Sequence, residues 1–409
     1  MSETGIGSKG GTRPPGALVR NYSKPNPSCH EKSGVWEGLY APTLGVAAIL
    51  SGRKAPPTFS KHDDFRALLW PKYPVVWVSV FLLGLWAAPS ATAQRIDISW
   101  PTPNPAWTQG RSYEHWVQPT VSGEYTSGLF GSVRSNGTQF HEGLDIRPLS
   151  RDSRGEPRDE ITAAMDGIVR NISSRPGESN YGRYVVLEHP GVTPAVYTLY
   201  AHLARIEPGL REGMTVQRGQ ALGLMGHSSN GNIPVERAHM HFEIGLRLTD
   251  SFGSWYTWKK IGSPNLQGLY NGMNLMGIDP RDFLEKWRAH RVDNFTQYFS
   301  GLHEVVRLRV ATSRVPDFIA RYPALMRQPI NGLVAGWEVQ CDVTGLPYAW
   351  TPLGPAQVAG LRAGAVEILS VDNAALRSFR GKSLIRTRGG RPSPGPDLSM
   401  MLQLVFGLR

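Results

Sequence analysis

The stretch VERAHMHFEI, residues 235–244, places His239 and His241 two apart in an otherwise apolar run. In an extended chain, residues two apart project from one face, so both imidazoles stand together while Met240 and Phe242 turn to a core. Imidazole is the commonest metal ligand and the usual acid–base group near neutral pH. The spacing leaves open which of the two would hold a metal. A second stretch, FHEGLDI, sets His141 and Asp145 four apart around Gly143. A strand bending at that glycine lets a nitrogen and an oxygen donor converge, and both suit zinc. A third, YTLYAHLARI, carries His202 near a strand end. Alternation puts Tyr200 on the face of His202 and Tyr197 on the opposite one. Together these give a three-ligand open zinc site of two histidines and one aspartate, with two histidines to spare. Zinc in such a site brings the pKa of water to about 7. Two further imidazoles orient that water, take its proton and stabilise an oxyanion. Amide hydrolysis needs that inventory.

The elements that must position these residues are short. From about residue 118 to 288, β-favouring runs such as YGRYVVLEHP, AVYTLYAHLARI and QALGLMG alternate with Gly, Pro and Asn. Runs of this length and spacing predict a mainly β fold, an antiparallel sheet or sandwich. No strand–helix–strand alternation and no Gly-rich phosphate loop occurs. IDPRDFLEKWRAH, residues 278–290, predicts a helix capped by Asp279 with Pro280 in its first turn. Beyond it, HEVVRLRVAT, GWEVQCDV and AGAVEILSV predict strands, RVPDFIARYPALM a helix and RTRGGRPSPGPD a loop. That makes a smaller α+β or β-rich C-terminal region with no catalytic set of its own.

The six ordered blocks HEGLDI, AAMDGIVRNI, YGRYVVLEHP, YTLYAHL, GMTVQRGQALGLMG and HMHFEI resemble the lysostaphin-type (LytM-like) zinc metallopeptidases, which are peptidoglycan endopeptidases. Order and spacing fit from about Phe130 to Phe283. The resemblance implies one Zn²⁺ held by His141, Asp145 and His241, with His202 and His239 as catalytic histidines beside it. It is the resemblance, not the spacing, that chooses His241 over His239 for the metal. There are departures. The family usually has a small pair such as Gly-Pro before its H-L-H, where this chain has Glu236-Arg237-Ala238 and then Met240 in place of Leu. The charged insertion RPLSRDSRGEPRDE, residues 147–160, is longer than usual and reads as a solvated loop beside the metal loop, or as a groove wall. Both departures bear on substrate preference. Glu243 shares the parity of His241 and reads as its partner or as a surface charge. FGSWYTWKK, residues 252–260, reads as a packed hairpin or a groove lining, and His227 as exposed in a loop.

Composition bounds the rest. Forty per cent of the 409 residues are apolar and the net charge is +11. Residues 1–72 contribute 10 Lys/Arg against 5 Asp/Glu, and residues 94–409 contribute 34 against 28. With no basic run and no nucleic-acid motif, nucleic acid is set aside as a partner. Cys29 and Cys341 are the two cysteines, so no disulfide framework is expected and any metal must rest on histidine and carboxylate. Residues 72–93 join Lys72 to an apolar run of about 15 residues, short of the roughly 20 that span a bilayer, and end in Ala-Thr-Ala. That predicts a signal peptide cut after Ala93 and an exported, secreted or periplasmic protein of the cell envelope. An uncleaved segment would instead give transient membrane contact. Residues 1–71 read as a disordered extension or a mis-assigned start. The expected order is then 94–117 as an irregular lead-in, 118–290 as the metallopeptidase domain and 291–409 as a C-terminal accessory region. The expected partner is a peptidoglycan peptide. A second reading is an inert wall-binding regulator of other hydrolases; such relatives lack one or more of the five positions, and all five stand here.

Overall fold

The computed structural model describes residues 94–134 and 139–409. The expectations placed on residues 1–93, the extension and the export segment, fall outside the described residues. No helix among those described is long and apolar enough to cross a membrane.

A seven-stranded antiparallel sheet organises the first half. Its strands are β1 (Leu144–Ile146), β2 (Gly167–Ser173), β3 (Tyr184–Glu188), β4 (Tyr197–Ala201), β5 (Thr215–Val216), β6 (Met240–Arg247) and β7 (Leu275–Ile278). The order is β7-β6-β4-β3-β2-β5, with β1 also paired to β6. β6 is therefore internal, with β4 along one edge and β1 followed by β7 along the other. The runs YVVLE, YTLYA and MHFEIGLR hold β-branched and aromatic residues that pack well on a pleated surface. One sheet face sends Val185, Leu187, Tyr200, Met240, Phe242 and Ile244 into the main core. The other face gathers Tyr184, Val186, Tyr197, Leu199 and Ala201 into a smaller cluster. A three-stranded antiparallel sheet, with Ala221–Leu224 between Glu160–Thr162 and Arg205–Ile206, stands beside it.

The lead-in is irregular but not loose. Trp100 stacks on Trp107 at 5.0 Å and meets Trp116 edge-on at 5.3 Å, and all three are buried in the main core. Helix α1 (Phe252–Trp258) replaces the hairpin or groove lining expected of residues 252–260. Phe252, Trp255 and Tyr256 fall three and four apart and are buried together, so a helical period was present in the run. Helix α2 (Pro280–Arg288) begins as expected, with Asp279 accepting the Arg281 and Asp282 amides at 2.9 and 3.2 Å.

The C-terminal region holds a second antiparallel sheet of β8 (Val306–Val310), β9 (Gly336–Cys341), β10 (Pro347–Leu353) and β11 (Val366–Val371), in the order β10-β9-β8-β11. Helix α3 (Pro396–Phe406) packs Phe406 on Trp350 at 5.4 Å. RTRGGRPSPGPD is not a loop. It forms a hairpin of Ile385–Arg388 and Arg391–Pro394, because Gly389 and Gly390 both adopt the positive φ (57° and 76°) that a tight two-residue turn requires. The region is tied to the end of β6: Arg321 donates to the Arg247 carbonyl at 3.0 Å and the Arg247 amide to the Tyr322 hydroxyl at 3.1 Å. The two sheets share one continuous apolar core.

Candidate metal centre

The site forms where β6, β1 and the end of β4 meet. In the register, His241 lies opposite both Asp145 on β1 and Ala201 on β4. Cross-strand partners share a face, so Asp145 and His241 point the same way. β1 comes close because residue 143 is glycine: a Cβ there would collide with the Phe242 carbonyl and sit 3.0 Å from the His241 ring. Gly143 thus works by close approach to β6 rather than by bending the strand.

Three donor atoms form a small triangle. His141 Nε2 lies 3.0 Å from Asp145 Oδ1 and 3.0 Å from His241 Nδ1, and His241 Nδ1 lies 3.1 Å from Asp145 Oδ1. All three residues are buried. A triangle of that size fits three ligands each about 2.0–2.1 Å from one zinc ion, with a side left open for a fourth.

The outward nitrogens settle what each ring offers. His141 Nδ1 donates to the Leu129 carbonyl at 2.8 Å, which leaves Nε2 with its lone pair facing the triangle. His241 Nε2 faces Glu243 Oε1 at 3.0 Å, which leaves Nδ1 as the inward donor atom. His239 Nδ1 donates to the Arg237 carbonyl at 2.7 Å, and His202 Nδ1 to the Ser228 carbonyl at 2.8 Å. Their rings stand 4.7 Å apart, edge to face, beside the triangle, with His239 Nε2 3.4 Å from Asp145 Oδ1. Every histidine of the set therefore has one nitrogen anchored by a protein acceptor, and in His141, His241 and His239 the other nitrogen lies 3.0–3.4 Å from Asp145 Oδ1.

Charge follows geometry. Burial lowers the His141 and His239 pKa values, and lowers that of His202 furthest, with His239 and His241 adding repulsion. All three are neutral imidazoles at pH 7. Burial also opposes a cation at His241, but the bonds to Asp145 and Glu243 outweigh it and raise its pKa to about 9. Burial would raise the Asp145 pKa, yet the neighbouring His141, His239 and Arg134 hold it well below the ordinary carboxylate range. Arg134 donates to Asp145 Oδ2 at 2.6 Å and to the Ser127 carbonyl, so the second oxygen of the candidate ligand is occupied and its first is left for the metal.

The structure brings His141, Asp145 and His241 together, with His239 and His202 beside them. The faces of β4 are the reverse of those that alternation from His202 predicts. Tyr200 packs on Phe242 in the core, whereas Tyr197 is on the site face. The strand ends at Ala201, and His202 takes a left-handed conformation (φ 60°) that swings its ring back to the site. Alternation cannot be carried past a strand end. The tyrosines of a supporting layer were also missed. Glu243, 1% exposed, accepts the Tyr181 hydroxyl at 2.6 Å on Oε1 and the Tyr197 hydroxyl at 2.8 Å on Oε2. With His241 also on Oε1, this buried carboxylate is held on both oxygens and fixes the ligand ring. The signal for Tyr197 was its parity with Ala201, two strand steps along.

The insertion and the VERA segment meet each other. Arg151 donates to the carbonyls of Gly155 at 2.8 Å, Val235 at 2.7 Å, Glu236 at 3.1 Å and Ala238 at 3.3 Å. Asp159, 1% exposed, accepts the Leu149 and Ser150 amides at 2.6 and 3.1 Å. Residues 147–160 are thus a solvent-facing loop braced from within by Arg151 and Asp159. His227 is half-buried, bonded to the Ile233 carbonyl at 2.8 Å and to Glu156 at 3.3 Å, not free in solvent.

A buried donor triangle flanked by two neutral imidazoles on an antiparallel sheet is a candidate metal centre. Residues 139–250 match the model of Peptidase family M23, in agreement with the resemblance to the lysostaphin-type peptidases. No curated protein matches the chain. Among solved structures it is similar to a zinc-containing peptidase from Vibrio cholerae (26% identity, 32% of this chain and 33% of that one, TM-score 0.23). It is also similar to the catalytic domain of lysostaphin from Staphylococcus simulans (17% identity, 38% and 89%, TM-score 0.25). A third is the catalytic domain of the prophage-encoded M23 protein EnpA from Enterococcus faecalis (22% identity, 32% and 79%, TM-score 0.23). The chain spans about a third of the Vibrio structure.

Proposed function

We propose that this chain is an exported zinc-dependent endopeptidase that hydrolyses peptide cross-links of bacterial peptidoglycan. The observation that carries the reading is geometric: one donor atom from each of His141, Asp145 and His241 forms a triangle of 3.0–3.1 Å, and the His239 and His202 rings stand beside it, each with Nδ1 tied to a carbonyl. His141, Asp145 and His241 would hold zinc, which supplies Lewis acidity to a water and to the scissile carbonyl. His239 and His202, neutral with Nδ1 tied to carbonyls, present Nε2 as two acceptors that orient the attacking water. His239 stands nearer the Asp145 carboxylate and takes the proton, then returns it to the leaving amine. His202 holds the other hydrogen of the water. The peptidoglycan target is carried over from the family resemblance, and export from the segment before Ala93.

The test is a pair of variants. His241→Ala should lose stoichiometric zinc by elemental analysis and clear no peptidoglycan in a zymogram. His239→Ala should keep zinc yet fall about 10²–10⁴-fold in kcat, the range of a removed general acid–base group. Wild-type protein that binds no zinc and clears no peptidoglycan would overturn the reading in favour of an inert regulator, and a His239→Ala protein of full activity would overturn the proton-transfer role of His239.

A further inference from the structure

The groove that opens onto the metal centre is not made by the M23 segment alone. It has a volume of about 710 Å³, and its lining runs from His141, His202 and His241 to Arg380, Lys382 and Asp397 of the C-terminal region. The loop 379–383 is seated against the residue that precedes His141. The Phe379 ring meets Phe140 at 5.8 Å, and the Lys382 ammonium lies 4.3 Å above the same ring. Gly381 lies so close to Phe140 that an added Cβ would come within 2.6 Å of the ring. Behind the loop, Asp397 at the start of α3 accepts the Ser383 amide at 2.6 Å, and the Gly395 amide donates to the Leu384 carbonyl at 2.7 Å. The wall is thereby fixed to both halves of the molecule.

The charges on this lining are unequally committed. Arg134 is bonded to Asp145 and to the Ser127 carbonyl. Lys382 faces Asp397 at 3.9 Å and also acts on Glu142, whose carboxyl is otherwise pushed up by burial and by Glu243. Arg380 is exposed, and among the described residues it is the one cation of the groove with no acid or carbonyl partner. A guanidinium held at the rim of a peptide groove is suited to a carboxylate, which it meets with two parallel N–H donors. We propose that Arg380 is a specificity determinant contributed by the C-terminal region, selecting peptides that bear a free carboxylate beside the scissile bond. The inference rests on the endopeptidase reading for the identity of the ligand as a peptide, but concerns recognition and not hydrolysis.

The experiment uses the full zinc-loaded chain and two synthetic cross-link peptides, identical except that one carries a free carboxylate beside the scissile bond and the other a carboxamide. Two ratios are measured: kcat/KM for the two peptides, and Kd for the two on the His239→Ala protein by fluorescence anisotropy. Wild type should favour the carboxylate by about two- to fivefold, as expected of one exposed charge pair. The preference should shrink as salt rises. Arg380→Ala should bring the ratio to about one, Arg380→Glu should invert it, and Arg377→Ala, an exposed arginine outside the groove lining, should leave it alone. Equal handling of the two peptides by wild type, or an unchanged ratio in Arg380→Ala, overturns the proposal. If neither peptide is cut but the Kd ratio responds to Arg380→Ala, the hydrolysis reading falls while the recognition by Arg380 stands.

Discussion

The two sheets of this molecule are built alike and loaded differently. Both are antiparallel, and both bury Val and Tyr from neighbouring strands. In the central sheet, the site face of β6 buries His241 and Glu243 at 4% and 1% exposure, each matched to partners on every polar atom described above. In the C-terminal sheet, β9 and β10 bury Trp337, Val339, Ala349 and Trp350, and the one thiol, Cys341, has its pKa pushed well up by burial. A buried thiol of that kind is a packing residue and not a nucleophile. Buried polar groups persist where partners satisfy them, and such an arrangement is what chemistry needs. The C-terminal sheet is scaffold, and its region reaches the groove through the loop 379–383 and the start of α3.

If that division is right, damage to each sheet should read out differently. Trp350 is fully buried at the junction of Phe318, Trp337 and Phe406, with its indole N–H donated to the Pro347 carbonyl at 2.8 Å. Trp350→Ala should cost about 3–5 kcal/mol of stability, as large-to-small aromatic changes in cores do. Urea unfolding would measure this. The zinc content of the fraction that remains folded should not change, and a parallel loss of zinc would show that the two sheets are not separable in this way.

A finer contrast lies between two kinds of buried histidine. His189 looks in sequence much like the site residues, but both its nitrogens are consumed: Nδ1 by the Asp166 carbonyl at 2.8 Å and Nε2 by the Thr198 hydroxyl at 2.7 Å. It has no lone pair to offer, and burial lowers its pKa to about 4. An unfolded histidine titrates near 6.5. Below that pH the unfolded chain binds a proton that the folded chain refuses. Stability from this residue is therefore complete above about pH 6.5 and is lost as pH falls toward 4. The loss should reach roughly 2–3 kcal/mol by pH 4.5. Comparing urea midpoints of wild type and His189→Gln between pH 7.5 and 4.5 isolates it: the variant should start less stable and decline less steeply. Parallel declines would mean that His189 is protonated in the folded state.

Much of the site was legible because its signal is local. H-x-H on a strand, and a histidine and aspartate around a glycine, survive as patterns in a linear string. The periods also sufficed for β8, β9, β11 and the cap of α2. What escaped depends on contacts distant in sequence or on single backbone torsions. The positive φ of His202 reversed the apparent faces of β4 and hid the part played by Tyr197. The Tyr181 hydroxyl reaches Glu243 from a loop 62 residues away, which no spacing rule announces. The Gly-Gly turn of residues 389–390 was readable as a hairpin signal and was obscured by the prolines around it. The role of the insertion was not readable, since a run of arginines and acids looks the same whether solvated or bonded to carbonyls.

That insertion supplies the smallest effect and the most particular one. Where the family usually has a small pair before its H-L-H, this chain has Glu236-Arg237-Ala238, a short 3-10 turn over residues 235–237 with nothing apolar buried to hold it. Arg151 holds it instead, reaching the carbonyls of Val235, Glu236 and Ala238 with its two terminal nitrogens. Those peptides flank Arg237, whose own carbonyl accepts the N–H of His239. The guanidinium therefore acts on the proton-carrying imidazole through one intervening residue. Arg151→Ala should lower kcat about tenfold while KM stays within twofold and zinc remains stoichiometric, since misplacement of a catalytic group costs rate before binding. Arg151→Lys should recover only part of it, because a single ammonium cannot span carbonyls that a planar fork reaches together. Steady-state kinetics on one cross-link peptide, with zinc assayed on the same samples, measures both. A loss confined to KM would instead make the insertion a groove wall, acting on substrate as the loop 379–383 is proposed to do.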